Sequence, residues 1–389
     1  MSNQAPLPLF FEFGISQLIK HGEELCGDSI VSIPDVDAAT LILSDGLGSG
    51  VKANILATLT TRIISVMIQK GCALDDVVHT LTETLPTCSV RKLAYSTFSV
   101  GQLDRGGKLR LVEYDNPPAI LLHNNRVVKI DYQVQTIDDK KIKEAEVPIE
   151  KGDWLIFISD GEVHAGIGGV WNLGWSWDRI ARFIETRINE KMTAAELAAE
   201  LTGVANKLYG EKPGDDTSVA VVKVRYKNVA TVMVGAPKSI QDDDRVVKRL
   251  MEAPGRKVVC GGTTGNIVSR VLQCPIKVDL RTLTDKIPPI GYLEGIDLCT
   301  EGIFTISRVL KMMKEGTSLK DLYYRLEGAS MLLKELYQAD DITFLIGQAM
   351  NPAHQNPNMP PEFELKTQIM EEIGNRLSQT GKTVAFEYF

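Results

Sequence analysis

The chain is predicted to hold two domains, a layered α+β domain over residues 1–227 and an α/β domain over residues 228–389. Three observations carry this. At 389 residues the chain exceeds one ordinary domain of about 150. Its first half sets short apolar runs, joined by Gly-Gly and Asn-Asn pairs that signal hairpins, between pairs of helical patterns, which describes a layered domain. After Tyr226 and Lys227 the pattern restarts with VATVMVGAP, and strands and helices then alternate as in an open α/β sheet.

In chain order, LILSDGLGSG is an apolar strand running into Asp45 and a run of glycines. A helix follows from Val51, in which Ile55, Leu59, Ile63 and Met67 recur every four residues and predict one apolar, buried face. Gly71 suits its end, and a second helix with Leu74, Val77, Val78, Leu81 and Leu85 runs to Pro86. From Tyr95 to Ile130 the segments STFSVGQLD, GGKLRLVEYDN and AILLHNNRVVKI form an antiparallel meander. The strand DWLIFISD ends on Asp160 and leads to a helix around Trp177, Ile180, Phe183 and Ile184. Thr193 with Glu196 makes a capping box for the next, whose buried face is Leu197, Leu201, Val204 and Leu208. GDDTSVAVVKV closes the unit as a strand reached through two adjacent carboxylates. The second half reads as strand 230–235, helix 242–252, strand KVVC, loop GGTTG, a helix through Leu272, strand KVDL, two helices between 300 and 337, strand ITFLIG, helix 362–378 and a final strand KTVAFEYF. NPAHQNPNMPP is a loop.

Apolar residues make up 44% and charged ones 24%, the balance of a globular chain with a sizeable core. With 43 basic against 50 acidic residues and a net charge of -7, the sequence lacks the basic excess from which nucleic-acid and anionic-membrane binding draw affinity. No apolar run of about 18 residues is present, and MSNQAPLPLFFEFG lacks the basic-then-apolar order of a signal peptide. A cytoplasmic protein is expected. The 6 cysteines show no CxxC spacing and the 5 histidines no zinc-binding spacing. Most of the cysteines are expected to be small buried hydrophobes. Any metal here is expected to be held by oxygen.

Asp28 in CGDSIV, Asp45 in LSDGLGSG, Asp160 in FISDGE and Asp215 in PGDDTSVAVV each stand at the end or start of an apolar strand, beside a small residue. Taken singly, each reads as a turn or capping residue. If the strand ends meet, so many carboxylates repel one another unless cations lie between them. Two divalent ions resolve that repulsion, and oxygen ligands suit magnesium or manganese.

The set GDS, SDGLGSG, SDG and GDDTSVAVV, in that order across residues 10–225, resembles the metal-dependent protein phosphatases, the protein phosphatase 2C family. Within it, the chain is most similar to the bacterial branch typified by stage II sporulation protein E. The resemblance implies an αββα fold, a β-sandwich with helix pairs on both outer faces. It implies that Asp45 bridges two Mn2+ or Mg2+ ions with the Gly46 carbonyl on one of them, that Asp160 and Asp215 complete the other, and that Asp28 acts through metal-bound water. Asp216, where many relatives carry Asn, would stand behind these ligands. The implied reaction is hydrolysis of phosphoserine or phosphothreonine on a regulatory phosphoprotein, such as an anti-sigma-factor antagonist, by a metal-activated hydroxide. The eukaryotic DGHGG motif is absent, with Leu47 following Asp45 and Gly46, so the leaving-group acid is unassigned. YDNPPAILL is similar to the branch's NAGHPP turn without its Gly-His, which leaves Asn116 a turn-shaping role.

Other readings stand beside these. The fold could be kept as a catalytically silent module that binds a phosphoprotein, or the second domain could be the active part under the first one's control. His164 is expected to be a structural or surface residue. The tryptophans Trp171, Trp175 and Trp177 are expected to pack at the start of a helix, with a substrate-facing flap as the other reading. Lys52 is expected to be solvated. In the second domain CGGTTGNIV is either a tight turn or an anion-binding loop such as a nucleotide phosphate uses. IDLCTEGIF followed by ADDITFLIG echoes FISDGEVHA followed by GDDTSVAVV, which opens the reading of a decayed copy of the first domain. Asp297, Glu301, Asp340 and Asp341 form an acidic group with no role assigned. The second domain is expected to sense a ligand or select the substrate.

Overall fold

Leu41 and Leu43 pack into one apolar core while Ile42, between them, packs into another. Period-2 geometry does this to a strand covered on both faces. The computed structural model in which this is seen describes residues 9–35, 38–84, 96–137, 140–169, 171–279, 282, 289–349 and 362–389. Leu85, Pro86, Cys88, Tyr95 and the NPAHQNPNMPP loop lie outside them. The described chain divides into two compact units, Met1–Tyr226 and Lys227–Phe389.

In order, the first unit comprises β1 (Leu9–Leu18), β2 (Asp28–Pro34), β3 (Ala38–Asp45), α1 (Gly50–Gln69), α2 (Leu74–Thr84), β4 (Phe98–Asp104), β5 (Lys108–Tyr114), β6 (Ile120–His123), β7 (Arg126–Val128), β8 (Gln133–Ile137), β9 (Lys140–Pro148), β10 (Trp154–Ile158), α3 (Asp160–His164), α4 (Trp177–Arg187), α5 (Ala194–Leu208) and β11 (Thr217–Tyr226). One antiparallel sheet runs β1-β11-β10-β6-β7 and the other β2-β3-β4-β5-β9-β8. Leu41, Leu43, Leu111, Leu155, Phe157 and Val222 fill the space between them. Outside the second sheet, Ile64, Leu74, Val77 and Leu81 of the α1–α2 pair cover Ile42, Val100 and Val112. Outside the first, Ile180, Ile184, Leu197 and Leu201 of α4 and α5 cover Ile156 and Val221. The result is the αββα sandwich. The predicted capping box closes at the start of α5, Glu196 N–H donating to Thr193 Oγ1 (3.1 Å) and Thr193 N–H to Glu196 Oε2 (3.0 Å). Thr193→Ala is expected to cost about 1 kcal/mol, read as a lower urea midpoint with an unchanged slope.

The face of α1 departs from expectation in its first half, whereas Ile63 and Met67 pack against the core as expected. Ile55 and Leu59 are 58% and 48% exposed, as is Val51, while the buried side is Gly50, Ala53, Ala57, Thr60, Thr61, Ile64 and Ser65. Close approach explains the inversion. A Cβ on Gly46 would stand 2.1 Å from the Ala53 carbonyl oxygen, so only small side chains fit under the first turns of this helix. Its buried hydroxyls bond locally, Thr60 Oγ1 to the Leu56 carbonyl at 3.0 Å and Thr61 Oγ1 with Ser29 Oγ at 2.8 Å. α1 is also the one helix among the described residues with the length and mean hydropathy of a membrane-crossing segment, although Lys52, Asn54 and Arg62 interrupt its apolar residues. Its small-residue side lies on β2 and β3.

The second unit is β12 (Val229–Val234), α6 (Asp243–Glu252), β13 (Arg256–Cys260), α7 (Gly262–Leu272), β14 (Lys277–Asp279), β15 (Ile290–Leu293), β16 (Ile296–Thr300), α8 (Ile303–Lys314), α9 (Leu319–Leu322), α10 (Gly328–Gln338), β17 (Asp341–Ile346), α11 (Glu362–Gln379) and β18 (Thr383–Tyr388). Its single sheet is ordered β14-β15-β16-β13-β12-β17-β18, with β16, β13, β12, β17 and β18 parallel. Apolar cores lie on both faces, as a parallel sheet requires. The hairpin β15–β16 was not foreseen, and three helices rather than two occupy the stretch after it. One sheet with a parallel five-stranded core is not a copy of an antiparallel two-sheet sandwich, so the decayed-copy reading falls. The acidic group disperses: Asp297 pairs with Arg256 (2.9 Å), Asp341 with Lys227 (2.8 Å), and Asp340 accepts from the Asn228 N–H (2.8 Å). GGTTG forms the junction from β13 into the first turn of α7, with Gly261 at φ +123°, Gly265 N–H donating to its carbonyl (2.7 Å), and Thr264 Oγ1 accepting from Gly235 N–H (3.0 Å). Of the five described cysteines, Cys260 and Cys299 are buried, Cys26 and Cys274 half-buried and Cys72 exposed, so burial is not the rule expected.

Candidate metal centre

β2 and β3 are paired in the register that sets Asp28 directly opposite Asp45, an arrangement that like charges oppose. β10 ends one residue before Ser159 and Asp160, and β11 begins just after Asp215 and Asp216, antiparallel to it. Four strand ends from the two sheets thus meet at one edge of the sandwich. Asp28, 4% exposed, lies beside Ser218 and Ser159, which favour its charged form. Ser159 Oγ in turn accepts from the Ser218 N–H at 2.9 Å, and Gln17 Nε2 donates to Ser218 Oγ at 2.9 Å. Asp216, also 4% exposed, accepts from the Lys20 N–H at 3.0 Å, and its own N–H donates to Asp215 Oδ1 at 3.1 Å. Lys20 Nζ stands 3.7 Å from Asp215.

The electrostatics record the crowding. Burial, then the charges of Asp28, Asp160 and Asp215, and a hydrogen bond shared with Asp160 push the Asp45 carboxyl up to about 9. Burial lifts Asp28 to about 7 against the pull of the two serines. Burial and Asp160 raise Asp215, with Lys20 opposing. Burial and mutual repulsion disfavour the charged form of these carboxyls. One oxygen each of Asp28 and Asp216 is buried without a hydrogen-bond partner. The donor set is all oxygen. These features fit hard divalent cations. Among the described residues no three acidic, imidazole or thiolate side chains close around one point. Magnesium asks for no such cage, since it takes one or two carboxylates and keeps several waters.

The glycines after Asp45 and Asp160 are required by contact rather than by turn geometry. A Cβ on Gly161 would lie 2.0 Å from the Asp216 carbonyl oxygen, matching the clash that Gly46 would make with α1. Gly27 is similarly confined, since a Cβ there would stand 2.8 Å from Asp216 Oδ2. Sequence reading missed Lys20, Ser159, Ser218, Gln17 and Glu162. Glu162 is fully buried with both carboxylate oxygens unbonded, and burial pushes it up to about 8. Only the acidic residue two places after Asp160 in SDGE could have signalled it. His164, half-exposed, stands 3.9 Å from Asp160. Asn116 pins the β5–β6 turn, accepting from Thr97 Oγ1 and donating to Ser99 Oγ at 3.1 Å. Trp175 is buried edge-on to Phe183, and Trp177 Nε1 donates to the Pro118 carbonyl at 2.8 Å, so both pack at the start of α4. Trp171 lies partly exposed under Arg179, 4.2 Å from its ring centre. Lys52 is exposed.

Residues 35–225 match the family model for Stage II sporulation protein E (SpoIIE). Asp45, Asp160 and Asp215 lie within that stretch and Asp28 just before it. The stage II sporulation protein E of Priestia megaterium is 24% identical over 225 residues, which are 55% of this chain and 36% of that protein. The chain therefore spans about a third of the length of this curated relative. Among solved structures, the PP2C phosphatase domain with a fragment of the regulatory domain of the cell fate determinant SpoIIE from Bacillus subtilis is 19% identical, with a TM-score of 0.48 over 57% of this chain and 65% of that one. The RsbU and RsbW domains of a Mycobacterium tuberculosis protein are 16% identical, with a TM-score of 0.47 over 63% of this chain and 70% of that one. The family match covers the same stretch of chain as the αββα sandwich, and makes the amino-terminal unit similar to stage II sporulation protein E.

Proposed function

We propose that the first unit is a metal-dependent protein phosphatase that hydrolyses phosphoserine or phosphothreonine on a regulatory protein in the cytoplasm. The observation that carries this reading is the gathering of Asp28, Asp45, Asp160 and Asp215 at paired strand ends, with Asp28 directly opposite Asp45. A folded chain retains the repulsion among them where cations relieve it. Asp45, Asp28, Asp160 and Asp215, with the Gly46 carbonyl, would hold two Mn2+ or Mg2+ ions. Bound there, the ions would supply activated water and offset the charge of the phosphate. The chain's own residues then orient the ligands. Ser159 and Ser218 stand beside Asp28 and favour its charged form, Asp216 holds Asp215 through its N–H, and Lys20 brings a positive charge to the site's mouth. The substrate proposed is a phosphorylated regulator of the anti-sigma-factor-antagonist kind. No reaction is assigned to the second unit.

The test is hydrolysis of an aryl phosphate by the full chain with and without manganese, beside Asp45→Asn. Turnover that requires manganese and falls by a factor of about 100 or more in the variant supports the reading. A wild-type protein inert in millimolar manganese would overturn it in favour of a silent phosphoprotein-binding module.

A further inference from the structure

A groove leads away from Asp215. Its volume is about 880 Å³, enough for several residues of an extended peptide. One wall is the loop after α3, Gly166 to Gly169, and the other is the end of α5 and the turn into β11, Lys207 to Gly214. The walls touch at their base, where a Cβ on Gly166 would meet Leu208 Cβ at 3.4 Å. Tyr209 ties the second wall to the site, its hydroxyl donating to the Gly161 carbonyl at 2.7 Å. Glycines line much of both walls, so a bound backbone can come close. Ile167, 55% exposed, offers an apolar lip.

The charges of the groove are opposite in sign to those of the site it adjoins. Lys207 and Lys212 line it, both exposed, and neither forms an ion pair with a described residue. The one carboxylate lining it, Asp215, faces Lys20 and the metal-site aspartates. In a chain of net charge -7, a cationic channel opening beside an acid cluster is a selective feature.

We infer that this groove receives the chain flanking the phosphorylated residue and selects substrate segments carrying acidic side chains there, with Lys207 and Lys212 as the specificity-determining residues. The inference rests on the phosphatase reading for the position of the phosphate, and its partner is a phosphoprotein whose modified serine or threonine sits among aspartates or glutamates. Exposed ion pairs are individually weak. Two acting together, with charge reversal adding repulsion, give an effect of about tenfold.

The experiment uses fluorescent phosphoserine peptides of equal length, one with flanking Asp and Glu and one with Ser and Asn. Binding to the full chain and to Lys207→Glu/Lys212→Glu is measured by anisotropy at two salt concentrations, with aryl-phosphate turnover in manganese measured beside it. Expected are about tenfold tighter binding of the acidic peptide by the wild type, loss of that preference in the double variant and in high salt, and equal aryl-phosphate rates for both proteins. Equal peptide preference in wild type and variant overturns the inference. An aryl-phosphate rate of zero in the wild type strikes the phosphatase reading, while charge-selective binding that persists in that case still upholds the groove's selectivity.

Discussion

Freed of divalent ions, the Asp45→Asn protein is expected to unfold at a higher temperature than the wild type at pH 8 and at nearly the same temperature at pH 5. Burial and three neighbouring aspartates push the Asp45 carboxyl up to about 9. The native state therefore keeps a proton that the unfolded chain, with an ordinary aspartate near 4, has already released. The stability this group contributes is complete below about pH 4 and is lost as pH rises toward 9. Asparagine does not titrate, so the variant's advantage grows through that window. Allowing for residual solvation of the site, an advantage of about 1–2 kcal/mol at pH 8 corresponds to roughly 3–6 °C. Manganese should reverse the order, raising the melting temperature of the wild type much more than that of the variant. Thermal melts in chelator and in manganese at the two pH values check both halves. Parallel shifts of the two proteins with pH would mean that Asp45 is already ionised in the metal-free native state.

The second large effect is expected from Gly161→Ala. The added methyl would stand 2.0 Å from the Asp216 carbonyl oxygen and 2.8 Å from Thr217 Oγ1, so the start of α3 must move away from β11. α3 begins with Asp160, and Asp215 and Asp216 directly precede β11. A displacement of that kind costs about 1–3 kcal/mol and, in a site that depends on placement, more than tenfold in manganese-dependent turnover. Gly203→Ala is the control. Gly203 lies inside α5 with no atom within 4 Å of the added methyl, and helix propensity alone predicts about 1 kcal/mol of added stability there. If both variants melt and turn over alike, contact is not what requires glycine after Asp160.

The comparison of these two glycines shows how far sequence reading extends. Asp-Gly pairs read as turns, and nothing in SDG distinguishes a glycine chosen for positive φ from one chosen for close approach. That distinction belongs to a neighbour distant in sequence, Ala53 for Gly46 and Asp216 for Gly161. The same blindness produced the error in α1. Ile55 and Leu59 recur at helical spacing, but the facing surface is a backbone too near for any large side chain, so the small residues went inward. Periodicity measures where apolar residues lie, and it cannot measure how close the opposing element comes.

By itself the sequence determined the order of nearly every element, the change of architecture near residue 227 and the four strand-end aspartates. These follow from local chemistry: alternation in strands, a capping box at Thr193, and carboxylates that avoid burial along a strand by standing at its end. Only the tertiary structure decided that Asp28 and Asp45 stand opposite each other, that Ser159, Ser218 and Lys20 flank the cluster, that Glu162 is buried without a partner, and that Lys207 and Lys212 face a groove beginning at Asp215. The longest of these contacts, Lys20 with Asp215, joins residues nearly two hundred positions apart. Register, burial and charge repulsion act between surfaces that exist only once the two sheets have closed on each other.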